Sequence, residues 1–257
     1  VLLDAVRGLG CVRLIFGRKV SAIVKNDDTG LIVTCQSATQ SENVECRALI
    51  GADGLWSSVA ECVNAARAPD FLGYQAWRGL VAISDWPLKD SARESHLWLG
   101  PKAHLVHYPV RSGTAINVVA VTSDSHNRPG WAHPGDPQIL HHRFQTWSSA
   151  VRSVVAAIPE WSVWSLYDRP ERAQWGMHNV TLLGDAAHPV LPFLAQGAAL
   201  AIEDAAVLAR EISSSPDNIA SALRRYEARR RPRAKRVQET ARSNGRTYHL
   251  GWPFSSA

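Results

Sequence analysis

The feature that most constrains this chain is residues 180–208, VTLLGDAAHPVLPFLAQGAALAIEDAAVL. Val180-Thr181-Leu182-Leu183 is a short run of β-branched and aliphatic side chains, the composition of a buried strand. The run breaks at Gly184-Asp185, passes Pro189 and Pro192, and opens at Gly197 into an alanine-rich stretch that reads as a long helix. A strand, a turn with one carboxylate and a glycine at a helix start leave free backbone N–H groups facing whatever lies above the turn. The positive end of the helix dipole points the same way. Such an arrangement suits an anionic or electron-rich ligand, and spacing alone equally admits an ordinary strand–loop–helix connection.

With 257 residues, the chain is long enough for one large domain or two smaller ones with a sizeable core. Apolar residues at 46% and charged residues at 20% are ordinary for a soluble globular protein. Much of the net charge of +5 lies in Arg224-Arg225 and in residues 229–236. A basic run can bind nucleic acid, but this one alternates with Tyr226, Glu227, Ala228 and Val237 at helical spacing, which favours a solvated helix face. Cys11, Cys35, Cys46 and Cys62 form no C-x-x-C pair and have no nearby histidine partners, so neither zinc nor a disulfide framework is expected. A reducing cytoplasm fits that usage. No apolar run approaches the roughly 20 residues of a membrane span. The start, Val1-Leu2-Leu3-Asp4-Ala5-Val6, reads as the middle of a helix and not as a signal peptide.

In chain order, residues 2–9 read as a helix tail ending at Gly8 or Gly10 in a left-handed glycine cap. Gly8-Leu9-Gly10 is no dinucleotide fingerprint, because no strand precedes it and no third glycine follows. Residues 12–24 read as a strand or hairpin arm, Asp27-Asp28-Thr29-Gly30 as a turn, 31–36 as the partner strand and 46–50 as another short strand. Residues 51–59, GADGLWSSV, form a second strand-to-helix turn with a carboxylate, capped by Ser57 or Ser58. Asp53 there can accept from a sugar hydroxyl or simply from backbone N–H groups. Strand-like runs at 77–83, 96–99, 103–110 and 115–121 follow with no long helix between them, which predicts an antiparallel sheet in a separate lobe. His104, His107 and Tyr108 are its polar interior candidates. Residues 125–135 read as loop, Asp136-Pro137 as a capped helix start, with helical runs through Trp147 and on to Ile158. Residues 161–168 read as a strand, and 218–243 as a long basic helix interrupted near Pro232. The ten tryptophans are read as core filling.

Gly184-Asp185-Ala186-Ala187-His188-Pro189, Pro192, Gln196-Gly197 and Glu203-Asp204-Ala205 are together similar to the signature of the FAD-dependent aromatic hydroxylases, the single-component flavoprotein monooxygenases of the para-hydroxybenzoate hydroxylase superfamily. Gly51-Ala52-Asp53-Gly54, Ser57 and Val59 resemble that family's second motif. LPFLAQGAA at 191–199, AWRG at 76–79 and HLVHYP at 104–109 look closest to the salicylate hydroxylase and 3-hydroxybenzoate 6-hydroxylase branch. The resemblance implies an α/β chain, α+β overall: an incomplete Rossmann-like FAD-binding domain with an inserted, mostly antiparallel β-sheet substrate domain. The implied division is residues 1–66 for the first part of the FAD-binding domain, 67–172 for the substrate domain and 173–257 for the return segment and C-terminal helices. Two features depart from the pattern. The G-x-G-x-x-G unit that holds ADP in such proteins has no counterpart here, and Ala60 stands where the second motif usually has arginine.

In such proteins NADH or NADPH reduces FAD, and the reduced flavin reacts with O₂ to give a C4a-hydroperoxide that hydroxylates an electron-rich phenol. The resemblance implies that Asp185 hydrogen-bonds the ribityl chain, while Gly184, Pro192, Gly197 and Ala198 line the ring. Asp53 and Gly54 serve the cofactor through the second motif. Reduced flavin is anionic along its N1–C2=O edge, so a helix N-terminus there is worth about 0.3–1 kcal/mol. His104 is the implied base that deprotonates the phenol, with Gln196 orienting it and Tyr108 lining its pocket; His107 is the rival base. His188 reads as structural, and Glu203 and Asp204 as binding neighbouring backbone or capping a packed element. The partners implied are a small aromatic substrate and O₂, with no metal, nucleic acid or membrane, and a homodimer is compatible. Alternatives are a flavoprotein of the same fold acting on another ring substrate, and a catalytically silent chain.

Overall fold

The computed structural model describes residues 1–26, 30–64, 68–130 and 132–249. Two units divide the chain: Val1–Ala68, Pro170–Pro189 and Gln196–Arg236 form one, and Pro69–Arg169, Val190–Ala195 and Val237–Ala257 the other. The first unit opens with α1 (Leu2–Arg7), which buries none of its residues. Its C-terminal Gly8 is right-handed at φ −74, and Gly10 has no positive φ, so the expected left-handed cap is not formed. The strand expected from residue 12 starts later, as β1 (Lys19–Asn26). It pairs antiparallel with β2 (Gly30–Gln36), which pairs antiparallel with β3 (Ser41–Cys46). The turn expected at 27–29 lies outside the described residues. On β2 the alternation of period two buries Leu31 and Val33 against the unit's core. The single strand expected over 46–50 is instead two pieces, β3 ending at Cys46 and β4 (Leu49–Gly51). Helix α2 (Ser58–Asn64) follows, with the Ser57 hydroxyl accepting from the Ala60 N–H at 2.9 Å as its cap.

The second unit is built on a six-stranded, fully antiparallel sheet. Its strands are β5 (Asp70–Ala82), β6 (His96–Gly100), β7 (Ala103–Val110), β8 (Ala115–Ser123), β9 (His133–Gly135) and β10 (Trp161–Asp168), in the order β6-β7-β8-β5-β10-β9. β9 lies in the stretch expected to be loop; three residues pair there with the start of β10. One face of the sheet is covered by α3 (Pro137–Arg143) and α4 (Ser149–Ala156), each started by a side-chain cap, Asp136 and Ser148. Trp77, Trp86, Leu105, Ile116, Leu140, Phe144 and Val154 fill that core, as the tryptophan content suggested. The other face carries a smaller cluster of Ala76, Val121, Leu166, Leu191, Phe193 and Ala241.

The chain then returns to the first unit through β11 (Val180–Leu182), fully buried and parallel to β4, with Leu182 opposite Gly51. Helix α5 (Gly197–Ser213) starts where the glycine at 197 predicts. Helix α6 (Ile219–Tyr248) is one unbroken run of 30 residues containing Pro232, so the expected interruption does not occur. Arg230 and Arg233, on either side of the proline, are both tied to α5, which opposes the break that proline's missing N–H favours. The basic run is therefore more than a solvated face. Arg225 and Arg229 pair with Glu211 of α5, Arg230 and Arg233 with Glu203, and Arg224 donates to the carbonyls of Gly176 and Val180.

Candidate functional site

In the first unit, β11 runs out into a single 3-10 turn over Gly184–Ala186. Gly184 sits at φ +60, a left-handed conformation, and a Cβ there would lie 3.2 Å from the Cβ of Ala201. Only glycine meets both conditions without strain. The turn lifts the half-buried Asp185 carboxylate toward the start of α5. A Cβ built on Gly197 would meet nothing within 4 Å except Asp185 Oδ1, at 4.0 Å. The first hydrogen bond of α5 runs from Leu200 N–H to the Gln196 carbonyl at 2.9 Å, so the N–H groups of Gly197, Ala198 and Ala199 precede the helical ladder. Gln196 supplies no side-chain cap. Burial raises the Asp185 carboxyl from its ordinary range, and His188 partly offsets that. Among the described residues nothing donates a hydrogen bond to Asp185. An open helix N-terminus and an unpartnered carboxylate thus share one space, which suits a ligand with several hydroxyl donors and an electron-rich edge.

Behind the turn lies Asp204, 0% exposed. Its Oδ2 accepts from the Gly184 N–H at 3.1 Å and pairs with His188 Nε2 at 2.5 Å; its Oδ1 accepts from Arg230 Nε at 2.6 Å. Burial alone would raise this carboxyl, but His188, Arg230 and the Gly184 N–H together hold it below the usual range. His188 Nδ1 is buried without a partner, and the ring packs on Trp175 at 4.9 Å. His188 is thus structural, and Asp204 does bind neighbouring backbone, as read. Arg230 was missed because it sits in a run that looks like a solvated face. The legible signal was complementary spacing: Glu203-Asp204 on one helix, Arg230 and Arg233 on the other.

The second carboxylate turn resolves differently. Asp53 accepts from the hydroxyls of Ser57 at 2.5 Å and Ser58 at 3.2 Å, and from the Val59 N–H at 3.2 Å. Of the two readings open for Asp53, the hydrogen bonds to the start of α2 are the ones made. Gly54 is left-handed at φ +76, and Ala60, in the place of the family's arginine, is fully buried.

In the second unit, His104 and His107 are both buried on β7 but on opposite faces. His104 lies in the Phe193 cluster: its ring is 5.5 Å from Phe193 and 5.3 Å from Tyr248, and its Nδ1 is 2.9 Å from Nε2 of His249. Burial, and then the neighbouring His249, push its pKa down to about 3. His107 faces the core beneath α3 and α4, accepts from Trp98 Nε1 at 3.3 Å, packs on Trp86 and is pushed down to about 4 by burial and then His96. Tyr108, expected in the interior, is 37% exposed at the end of β7. Pro192 is exposed and opens a 3-10 turn of this unit whose Phe193 is buried, whereas Gln196 belongs to the first unit. A cavity of about 270 Å³ in the second unit is lined by Leu72, Tyr74, Leu191, Phe193, Arg246 and His249, among others. Among the described residues no group of three His, Cys, Asp or Glu could hold a metal ion, all four cysteines are free, and no helix is long and apolar enough to cross a membrane.

The chain is similar to known flavoproteins. A family profile described as "FAD binding domain" matches residues 1–241. The chain is 34% identical over 250 residues to 3-hydroxybenzoate 6-hydroxylase 2 of Aquipseudomonas alcaligenes, covering 96% of this chain and 76% of that protein. It is 39% identical over 203 residues to 3-amino-4-hydroxybenzoate 2-monooxygenase of Streptomyces cremeus, covering 79% of this chain and 50% of that one. Among solved structures, a salicylate hydroxylase substrate complex matches with a TM-score of 0.80 at 27% identity, over 96% of this chain and 65% of that chain. The chain spans about half the length of several of the curated relatives it matches.

Proposed function

We propose, from the premise that this chain belongs to the FAD-binding monooxygenase family, that the whole protein hydroxylates a phenolic, hydroxybenzoate-like aromatic using NADH or NADPH and O₂. The single observation that carries the cofactor half of this reading is the half-buried, unpartnered Asp185 carboxylate beside the open N-terminus of α5. That donor and acceptor set fits a flavin: hydroxyls of a ribityl chain for Asp185, and an edge that becomes anionic on reduction for the N–H groups of Gly197 and Ala198. When bound, the flavin supplies the O₂-activating redox chemistry. Everything else is asked of the protein's own side chains.

Gly184, held by Asp204, keeps the turn in place while Asp185 binds. Pro192 stiffens the loop that precedes α5. Asp53 and Gly54 act by holding the second turn against α2. His104 acts as base toward the phenol, Gln196 orients the hydroxyl, and Tyr108 lines the approach. His104 is neutral because burial, and then the neighbouring His249, disfavour its charge, so a lone pair is available near neutral pH. A phenolate formed beside it supplies the opposite charge that burial otherwise withholds.

Support for the substrate class comes from the phenolic acids named in the relatives' descriptions and from the buried histidine in an apolar, aromatic pocket of the β-sheet unit. The test is turnover by the full-length protein with a panel of hydroxybenzoates, following NAD(P)H, O₂ and peroxide together with the product. Hydroxylated product with His104→Gln diverting most of the NAD(P)H oxidation into peroxide is the expected result. Product formation on a non-phenolic ring alone favours a different flavoprotein oxidoreductase of this fold.

A further inference from the structure

We propose that His249 is a positioning residue for His104, fixing it in the tautomer whose Nε2 carries the lone pair and receiving its Nδ1 proton when that lone pair is filled. The inference rests on the reading of His104 as the base. His104 Nδ1 and His249 Nε2 are 2.9 Å apart, a distance that holds one hydrogen between them. Nδ1 of His104 is engaged by His249, so the nitrogen left to take a phenol's proton is Nε2. A base needs its lone pair there, which puts the one hydrogen of the neutral ring on Nδ1. The hydrogen of neutral His249 then sits on its own Nδ1. Neutral His249 then presents a lone pair at Nε2 and can only accept, so His104 donates through Nδ1 and keeps its own lone pair at Nε2. This is the arrangement of a working imidazole oriented by a second group.

The packing holds both rings in place. His249 stacks on Tyr74 with centroids 4.5 Å apart and planes 17° from parallel. His104 meets Phe193 and Tyr248 edge-on, at 66° and 68°. Burial disfavours a cation on either ring, reinforced at His104 by His249; at His249 the Gly245 backbone acts the other way and Arg143 again disfavours it. The cavity also holds Arg246 and the Arg242–Asp168 ion pair.

The proton step balances without any redox partner. The phenol O–H bond breaks and a bond forms from its hydrogen to His104 Nε2. The Nδ1–H bond of His104 breaks as its proton moves to His249 Nε2. The phenolate keeps its electron pair, and the positive charge ends on His249, which keeps its own Nδ1–H. His249 lines the cavity of about 270 Å³, whereas His104 is buried, so the relay carries the charge from the strand toward the cavity.

Nitrogen-detected tautomer spectra of ¹⁵N-histidine-labelled full-length holoenzyme test this directly. The expected spectrum has His104 protonated at Nδ1 and bare at Nε2. His249→Leu removes the acceptor and should scramble that tautomer and lower the hydroxylation rate about 10–100-fold, by analogy with partners that orient metal-bound histidines, with little change in KM for the aromatic. His249→Gln, whose amide oxygen can still accept, should restore the tautomer and most of the rate. A His104 Nε2–H tautomer in the wild type overturns the positioning role, as does a His249→Leu protein with unchanged tautomer and rate. Where His249→Leu does not fold, the wild-type spectrum alone decides. Unaltered coupling in His104→Gln overturns the base reading itself, and the relay with it, and is distinguished by leaving the wild-type tautomer as expected.

Discussion

Two aspartates that look alike in the sequence end in different chemistry. Asp53 and Asp185 each follow a short strand and a glycine or alanine and precede a helix. Asp53 is occupied by Ser57, Ser58 and the Val59 N–H, whereas Asp185 lies beside Gly197 with no hydrogen-bond donor among the described residues. The serines at 57 and 58 made the capping role of Asp53 legible; what Asp185 faces depends on α5 folding back beside it, and no local pattern encodes that. The third aspartate, Asp204, was readable only as a helix-interior carboxylate. Its partner Arg230 lies 26 residues on, in a run whose composition suggests solvent. Removing one partner of a buried ion pair leaves the other charge uncompensated, so Asp204→Ala should destabilise the fold by about 3–5 kcal/mol. Urea denaturation of the variant against wild type measures it; a loss under about 1 kcal/mol contradicts the hub role. Asp204→Asn should lose less, since the amide can still accept from Gly184 N–H.

At the scale of elements, alternation made β2, β5, β7, β8 and β10 legible, cap chemistry placed the starts of α2 and α3, and Gly197 that of α5. β4 and β9 were not legible as such, because strands of three residues carry too little pattern and exist only through their partners. The continuity of α6 through Pro232 was likewise tertiary, supplied by arginines that cross to α5. These helix pairings have a pH signature. Arg233 and then Arg230 hold the Glu203 carboxyl down to about 2 from its usual 4.5, against burial. A depressed carboxylate pKa adds stability above the unfolded value, and that contribution is lost as pH falls from about 4.5 toward 2. The buried histidines of β7 act earlier: with pKa values of about 3 and 4 against 6.5 unfolded, they favour unfolding as pH falls below about 6.5, each by on the order of 1 kcal/mol per pH unit. Denaturation midpoints should therefore fall in two stages, the first between pH 6.5 and 4 and about halved by His107→Phe, since His104 supplies the rest; a flat midpoint from pH 7 to 5 contradicts it. Gly245 tests the packing around His104 from another side. A Cβ there would lie 2.6 Å from the Phe193 ring, so Gly245→Ala should cost about 1–3 kcal/mol by overpacking, measured in the same assay.

For the whole molecule, residue patterns implied an antiparallel sheet in its own lobe and the family resemblance implied a flavoprotein hydroxylase fold, and the six-stranded sheet, the family match and the structural match agree with both. What composition could not supply was the assembly of each unit from distant segments: residues 190–195 and 237–249 join the second unit, and 170–189 and 196–236 join the first. The His104–His249 pair, 145 residues apart, is a product of that assembly. The central claim is that residues 180–208 hold the reactive half of FAD through Asp185 and the N-terminus of α5. The direct measurement is FAD titration of the full-length protein and its Asp185→Ala variant, followed by flavin absorbance and fluorescence, with matched circular dichroism spectra. Loss of charge-assisted hydrogen bonds worth about 1.5–3 kcal/mol predicts a Kd raised about 10- to 150-fold in the variant; an unchanged Kd contradicts the account.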